Sequence, residues 1–269
     1  MAWKAHFDIP DLNNGAYFGF DIMLNRMLTE DLPPAPGHLL QLTLSYRLRC
    51  LELCGAADEI VDVTINRLTF DGDAFEAAAN AALADGVPKS AFTMQRVVDQ
   101  FIPLLRSDSR CSTCRGPCQD THERTYAPLL LPVDVQAPGS LTFKHGYRML
   151  YIDLEINFGN ERYELAGVVY FVDTNHYMTR FLDRTGSQPV LWQADGMRRE
   201  GNSGASENRR GRCDRIDNGV TPPSQWFPTA LPPSSGYNPC VVNLAVYVKK
   251  NAPTGLLNRV AQAIFGGKK

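Results

Sequence analysis

Three short apolar segments in the second half of the chain restrict its fold more than any other feature. Residues 163–172, 177–182 and 190–194 are rich in β-branched and aromatic side chains and are separated by polar turns. That pattern predicts three consecutive antiparallel strands. His176 precedes the second strand and Asp195 follows the third. Because one strand, a turn and a return strand separate them, we expect the sheet to bring an imidazole and a carboxylate together.

The order of the other elements indicates an α+β protein. Helices are predicted before Cys111 and strands after it, and this order is typical of α+β folds rather than doubly wound ones. In the second predicted helix, Leu40, Leu44 and Leu48 recur at helical spacing. The predicted helices cover 18–28, 38–54, 73–83 and 91–105, and the further strands cover 129–135, 150–158 and 241–248.

The composition argues against several classes of partner. A length of 269 residues with 44% hydrophobic residues suits a globular protein with a sizeable core. The formal net charge of −2 gives no overall attraction to nucleic acid. No apolar run approaches the roughly 20 residues that span a bilayer, and the amino terminus does not resemble a signal peptide. We therefore expect neither a membrane nor a nucleic acid as partner.

Two segments are predicted to lie outside the folded body. Residues 197–239 are rich in Gly, Ser, Asn, Arg and Pro and are expected to form a largely disordered, locally basic insertion. Residues 253–269 contain Leu257, Val260 and Ile264 on one helical face, which predicts a short amphipathic helix and tail.

The cysteines favour a metal site over disulfides. There are seven, an odd number, and no secretory context accompanies them, so a cytoplasmic or nuclear location with reduced thiols is the expectation. Cys111 and Cys114 have the spacing at which two thiolates in a tight turn chelate zinc. Cys118 and His122 could complete the site locally. A degenerate finger with free thiols is the alternative; no cofactor is required, and structural zinc is the candidate metal.

Several motifs resemble the ubiquitin-specific proteases. In that family a strand of the Tyr-x-Leu-x-Gly-Val-Val-Tyr type precedes His-Tyr, and a Trp precedes the Asp, as Trp192 precedes Asp195 here. The family opens with Asn-Leu-Gly-Asn-Thr-Cys-Tyr-x-Asn-Ser-x-Leu-Gln, and residues 13–25 are similar to this motif without a gap. Residues 73–76, Asp-Ala-Phe-Glu, are similar to the family's Asp-Ala-x-Glu-Phe helix.

The resemblance implies a papain-like cysteine peptidase fold over residues 1–252. It assigns residues 1–110 to a helical thumb, and 111–196 with 240–252 to reduced fingers and an antiparallel β palm. His176 is then the general base, Asp195 its orienting carboxylate and Asn13 the oxyanion-hole residue. Phe18 falls on the position of the nucleophilic cysteine.

Phenylalanine cannot become a thiolate, and a thiolate is the nucleophile of this chemistry. The resemblance thus implies an inactive pseudo-deubiquitinase that binds ubiquitin or a ubiquitin-like protein, or that serves as a scaffold. The alternative, if the alignment at Phe18 is wrong, is an active cysteine peptidase, cellular or viral, that cleaves after Gly-Gly. A third interpretation takes the sheet as an unrelated β-module in which His176 is structural.

Overall fold

The computed structural model describes residues 41–250, except 53, 105–109, 136–142, 173–175, 185–186, 196–211, 218 and 232–239. Asn13, Phe18, the predicted helix at 18–28 and the element at 253–269 lie outside the described residues.

The described strands form two sheets. A three-stranded antiparallel sheet contains β1 (Leu42–Cys50), β2 (Glu59–Ile65) and β4 (Cys118–Tyr126), in the order β2-β1-β4. The nine strands of the second sheet are β3 (Leu68–Phe70), β5 (Leu130–Val135), β6 (Glu155–Phe158), β7 (Glu161–Val172), β8 (His176–Asp183), β9 (Val190–Asp195), β10 (Arg212–Arg215), β11 (Ala230–Leu231) and β12 (Cys240–Lys249).

The second sheet is mixed. Its order is β10-β9-β8-β7-β12-β5-β3, with β11 paired to β12 and β6 paired to β7. β3 runs parallel to β5, and every other strand pair described in this sheet is antiparallel. A largely antiparallel sheet together with two α-helices in the described part of the chain confirms the α+β class.

Two α-helices pack against each other beside β3. The first, α1 (Gly72–Ala84), begins after Asp71, whose side chain accepts the N–H groups of Asp73 and Ala74, both at 3.1 Å, as an N-cap. The second, α2 (Met94–Leu104), receives its cap from a distant residue, because Asp153 Oδ2 accepts the N–H of Gln95 at 2.8 Å. Neither helix, among the residues described, has the length and apolarity that a membrane span requires.

An aromatic core joins the helices to the mixed sheet. Phe70 of β3 meets Phe101 of α2 edge to face, with ring centroids 5.5 Å apart. Three further aromatic residues, on β7 and β12, are buried: Tyr163, Tyr170 and Tyr247. The hydroxyl of Tyr163 donates to the carbonyl of Pro128 at 2.8 Å, and that of Tyr247 donates to the carbonyl of Asp153 at 2.9 Å.

Most predicted elements within the described residues are confirmed, but the predicted helix at 38–54 is wrong. Its described part is the strand β1, in which Leu42, Leu44 and Tyr46 are buried and join the core. A spacing of four residues fits a helix, but it also fits the two-residue period of a strand. The spacing of Leu44 and Leu48 is therefore compatible with either structure. The predicted thumb, residues 1–110, therefore contains β1, β2 and β3 as well as the two helices.

Part of the predicted disordered insertion is folded. Residues 212–231 contain β10, a 3₁₀ turn (Pro223–Gln225) and β11. Phe227 is fully buried, and the indole N–H of Trp226 donates to the carbonyl of Thr221 at 2.9 Å. The average composition of residues 197–239 does not predict this folded part, because two large aromatic side chains bury enough apolar area to order an otherwise polar segment.

Candidate functional site

Four cysteine thiols gather at one end of the three-stranded sheet. The Sγ atoms of Cys50, Cys54, Cys111 and Cys114, the thiol cluster, all lie within 4.8 Å of one another. The Sγ of Cys50 is 3.4 Å from that of Cys54 and 3.5 Å from that of Cys114. In a tetrahedral zinc site with Zn–S bonds of about 2.3 Å, neighbouring sulfurs are about 3.8 Å apart. The thiol cluster thus has the ligand type, number and spacing of a structural zinc site.

The Cys111–Cys114 arm is a tight turn that presents both sulfurs on one side. The N–H of Arg115 donates to the carbonyl of Cys111 at 3.0 Å, and the N–H of Cys111 donates to the carbonyl of Gly116 at 2.9 Å. Arg115 has a φ of 61°, in the left-handed region that closes such a turn. The N–H of Gly116 lies 3.4 Å from the Sγ of Cys114 and donates to it. The backbone therefore supports negative charge on sulfur.

The Cys50–Cys54 arm follows the end of β1. The N–H of Cys54 donates to the carbonyl of Glu52 at 2.7 Å, which folds the chain back on itself. Gly55 has a φ of 74°, a conformation that glycine adopts without steric cost, and it turns the chain away toward β2. The N–H of Leu51 donates to the carbonyl of Pro117 at 3.0 Å, which holds the two arms side by side.

The local environment separates the acidities of these thiols. The backbone N–H groups of Cys114 and Thr113 lower the pKa of Cys111 to about 6. Burial raises the pKa of Cys50 to about 12. The four sulfurs cannot all carry charge at neutral pH without a counterion, and a divalent cation resolves this because it binds cysteine as thiolate.

The predicted local ligand set is not the one that the described side chains assemble. Cys111 and Cys114 belong to the thiol cluster, but Cys118 does not. Cys118 and His122 both lie in β4, where Cys118 stands opposite Cys50 and His122 opposite Tyr46. Residues four apart in a strand are about 13 Å apart, so these two positions do not converge on one ion as they would in a turn or helix.

Cys50 and Cys54 are not among the candidate ligands predicted from the sequence, because both fall in the predicted helix at 38–54. The signal was a second pair of nearby cysteines followed by Gly55. What the sequence did not reveal is that β1 pairs with β4, which brings that pair to Cys111 and Cys114.

The sheet register relates the backbone positions of His176 and Asp195. His176 opens β8 opposite Val172, and Asp195 ends β9 opposite Met178. Opposite residues of an antiparallel pair share a face, as do alternate residues along a strand. His176 and Asp195 therefore occupy diagonal positions on one face of adjacent strands, where Cα atoms are about 7–8 Å apart.

Arg180 ties this hairpin to the folded part of the insertion. Its Nε donates to Gln193 Oε1 at 3.0 Å across the β8–β9 pair. Its Nη1 donates to the carbonyl of Trp226 at 2.9 Å. The guanidinium thus joins β8, β9 and the segment between β10 and β11.

The other two predicted site residues, Asn13 and Phe18, lie outside the described residues. The roles assigned to them, and the catalytic roles assigned to His176 and Asp195, stay predictions.

No protein-family model matches the chain, and no curated protein matches it. Among solved structures, the SAGA DUB module of Ubp8, Sgf11, Sus1 and Sgf73 bound to ubiquitin aldehyde is similar at 10% identity and a TM-score of 0.46, over 93% of this chain and 53% of that chain. A SAGA DUB module bound to monoubiquitin is similar at 11% identity and a TM-score of 0.45, over 87% of this chain and 48% of that chain.

A crystal structure of an essential yeast splicing factor is also similar, at 11% identity and a TM-score of 0.41, over 86% of this chain and 47% of that chain. The chain spans about half the length of the solved chains that it matches. Similarities at this level of identity and TM-score carry no information on activity or partners.

Proposed function

We propose that this chain is a ubiquitin-specific-protease-like domain without peptidase activity, which binds ubiquitin or a ubiquitin-like protein or acts as a scaffold. The proposal combines the motifs at 13–25 and 163–195 with one structural observation, the register of β7, β8 and β9. That register supports it because it puts the positions of the candidate base and its candidate orienting carboxylate diagonally across adjacent strands, and a triad needs these two groups close together.

The inactivity rests on Phe18. An aromatic ring has no ionisable group, so the acyl-transfer step has no nucleophile even if His176 and Asp195 are in position. Positioning and an oxyanion hole alone leave roughly 10³- to 10⁴-fold catalysis over water in serine proteases, too little for useful turnover.

By their strand positions, Cys213 and Cys240 are poor candidates for a replacement nucleophile. Cys213 stands opposite Ala194, the residue before Asp195, and alternation along the strands puts this position on the other face from that of His176. β7 separates the strand of Cys240 from that of His176, so two strand spacings, roughly 10 Å, lie between them. A working nucleophile and base are about 3 Å apart.

A ubiquitin-based thiol-reactive probe tests the absence of activity. We expect no covalent adduct with the wild-type chain, scored by intact mass. An adduct at any cysteine would favour the alternative, an active cysteine peptidase, and peptide mapping would identify its nucleophile.

The variant Phe18→Cys tests the alignment itself. If Phe18 occupies the nucleophile position, the new thiol should react with the probe, and the double variant with His176→Ala should react far more slowly. A matched control places a cysteine at an exposed position away from the site, Val220→Cys, where we expect no adduct. A folded Phe18→Cys protein that stays unlabelled would contradict the alignment.

Titration with unmodified ubiquitin separates the two inactive roles. Saturable binding by calorimetry favours a ubiquitin-binding domain, whereas a folded protein that binds neither ubiquitin nor related proteins favours a scaffold.

We also assign a structural zinc ion to the thiol cluster. When bound, the ion neutralises thiolate charge and links the Cys50–Cys54 arm to the Cys111–Cys114 arm. This assignment agrees with a reducing compartment, cytoplasmic or nuclear, because oxidised cysteines could not serve as ligands. One zinc per purified chain, measured by mass spectrometry of the metal, is the expected result.

A further inference from the structure

Cys118 stands beside the thiol cluster without belonging to it. Among the cysteines whose side chains the structure describes, it is the one outside the cluster. It lies at the start of β4, directly opposite Cys50 at the end of β1. A fifth sulfur is therefore aligned by the strand register with one of the four candidate ligands.

The strand geometry suits a covalent link between these two residues. The next pair along the strands, Leu51 and Pro117, is a hydrogen-bonded pair, with the N–H of Leu51 donating to the carbonyl of Pro117 at 3.0 Å. Hydrogen-bonded and non-hydrogen-bonded pairs alternate in an antiparallel ladder, so Cys50 and Cys118 form a non-hydrogen-bonded pair. The Cα atoms of such pairs are about 4.5 Å apart, inside the range of about 4.4–6.8 Å that disulfides require.

Both thiols can meet a small oxidant. Cys50 and Cys118 are each only half-buried, and Cys114 beside them is exposed. Four of the five sulfurs are expected to be occupied by a metal ion when one is bound. Cys118 is then the thiol that remains uncoordinated.

We propose that Cys50 and Cys118 are a modification site at which peroxide forms a cross-strand disulfide and thereby removes one ligand from the thiol cluster. Formation of the disulfide depends only on the pairing of β1 with β4. Its consequence, metal release, rests on the zinc assignment made under the proposed function.

The reaction balances with hydrogen peroxide as the oxidant. The thiolate form of one residue of the pair, either the small ionised fraction of a free thiol or Cys50 already deprotonated as a metal ligand, attacks a peroxide oxygen; the O–O bond breaks, and a sulfenic acid and hydroxide form. The second thiolate attacks the sulfur of that sulfenic acid, the S–S bond forms, and the S–O bond breaks with loss of hydroxide. From two free thiols, the two hydroxides take up the two thiol protons, so the thiols lose two electrons and one peroxide becomes two waters. If Cys50 is already deprotonated as a zinc ligand, the single proton of Cys118 yields one water, and the second hydroxide leaves as the counterion of the released cation.

Peptide mapping under non-reducing conditions tests the disulfide. The full chain, loaded with zinc, is treated with hydrogen peroxide, its free thiols are alkylated, and it is digested with trypsin. Cleavage after Arg49, Arg67, Arg115 and Arg124 yields peptides 50–67 and 116–124, which contain Cys50 with Cys54, and Cys118 alone. We expect these two peptides to be linked, with fragmentation assigning the bond to Cys50, and we expect dithiothreitol to separate them.

Zinc release into a chromogenic chelator, followed in parallel, should rise with the linked peptide and reverse after reduction. The matched variant Cys118→Ser should bind zinc before oxidation, lose the linked peptide entirely and release its zinc more slowly. The variant Cys54→Ser leaves Cys50 as the single cysteine of peptide 50–67 and should keep the link.

Bonds confined to Cys50–Cys54 or Cys111–Cys114, with peptide 116–124 unlinked, would overturn the proposal. So would equal release rates from the wild type and Cys118→Ser. A chain that purifies without zinc but still forms the linked peptides would contradict the zinc assignment and support the disulfide, so the two failures are distinguishable.

Discussion

At the scale of single residues, one property separates the thiol cluster from Cys118: the sulfur atoms of the cluster converge on a common point, and the sulfur of Cys118 is not among them. The four members lie within 4.8 Å of one another, whereas Cys118 shares only a strand position with Cys50. Serine has nearly the same size as cysteine but is a poor zinc ligand, so exchange of sulfur for oxygen tests each position without a large steric change.

We predict that Cys111→Ser weakens zinc binding by more than about 100-fold. Loss of a residue that only hydrogen-bonds to a ligand lowers metal affinity by up to about 100-fold, and loss of a ligand itself should lower it further. The midpoint of thermal unfolding should fall with it, because binding energy at a structural site is folding energy. Competition with a chelator of known affinity measures the first effect and calorimetry the second. Cys118→Ser is the matched control and should retain both; loss of zinc in that variant would restore the local ligand set to consideration.

Asp153 offers a second test at this scale. It caps α2 through the N–H of Gln95, and burial raises its pKa above the usual 3.8. A raised pKa means that the protonated form is favoured by folding, so stabilisation from this group is fully present below about 3.8 and is lost as pH rises through its folded value. At neutral pH the buried charge is unfavourable, although the cap itself is favourable.

We therefore predict that Asp153→Ala destabilises the protein by about 0.5–2 kcal/mol, as loss of an N-cap does. Asp153→Asn keeps an acceptor without the charge and should be at least as stable as the wild type at neutral pH. Its advantage should shrink as the pH falls, because the wild-type carboxyl then becomes neutral. Urea unfolding at several pH values measures both; an Asn variant as unstable as the Ala variant would contradict the capping role.

At the scale of elements, close contact between β7 and β8 depends on Gly167. A Cβ at this position would lie 2.8 Å from the carbonyl oxygen of Arg180, a backbone atom that cannot move aside like a flexible side chain. Gly167 stands opposite Phe181, and in the same pairing of β7 with β8, Val172 stands opposite His176. The glycine thus permits the strand spacing on which the proposed site depends.

We predict that Gly167→Ala costs roughly 1–3 kcal/mol, the usual effect of forcing an extra group into a packed site. Gly72, at the start of α1, is the matched control, since a Cβ there meets nothing within 4 Å. Gly72→Ala should be neutral or slightly stabilising because alanine is the better helix former. Chemical denaturation measures the free energy of unfolding of both variants. Equal values would contradict the predicted clash, because they would mean that β8 shifts to accommodate the added methyl group without a loss of stability.

The elements also show which patterns a single sequence can reveal. α1 was predictable because an alanine-rich run follows Asp71, and β7 to β9 because dense β-branched and aromatic runs alternate with turns. β1 was not, because its leucine spacing satisfies two periods at once. Half of the thiol cluster is predictable from sequence: the Cys111–Cys114 turn is local, but its approach to Cys50 and Cys54 depends on contacts between residues far apart in the chain.

At the scale of the whole molecule, the three-stranded sheet is anchored at both ends in different ways. Leu42 and Leu44 join the hydrophobic core at one end of β1, while Cys50 joins the thiol cluster at the other. No fully buried core residue is described beyond Tyr46 along β1, so the distal end has little apolar burial to hold it. Its order should depend on the metal.

We predict that removing zinc with a chelator exposes the distal half of this sheet to solvent exchange and leaves the proximal half protected. Amide hydrogen exchange resolved by peptide should rise around 48–50 and 118–120 and stay slow at Leu42 and Leu44. The nine-stranded sheet is the internal reference. Uniform exchange across both sheets on metal removal would indicate that the ion supports the entire fold.

The position of β12 has a consequence for biosynthesis. It lies between β5 and β7 in the middle of the mixed sheet, yet it is the last strand described along the chain. Until β12 has been synthesised, β5 and β7 each have an unpaired edge on the side that β12 later occupies. Unpaired strand edges can pair with strands of other chains and so lead to aggregation. A ribosome that stalls before Cys240 would therefore release a product prone to aggregation, and chaperone demand should peak in that interval of synthesis.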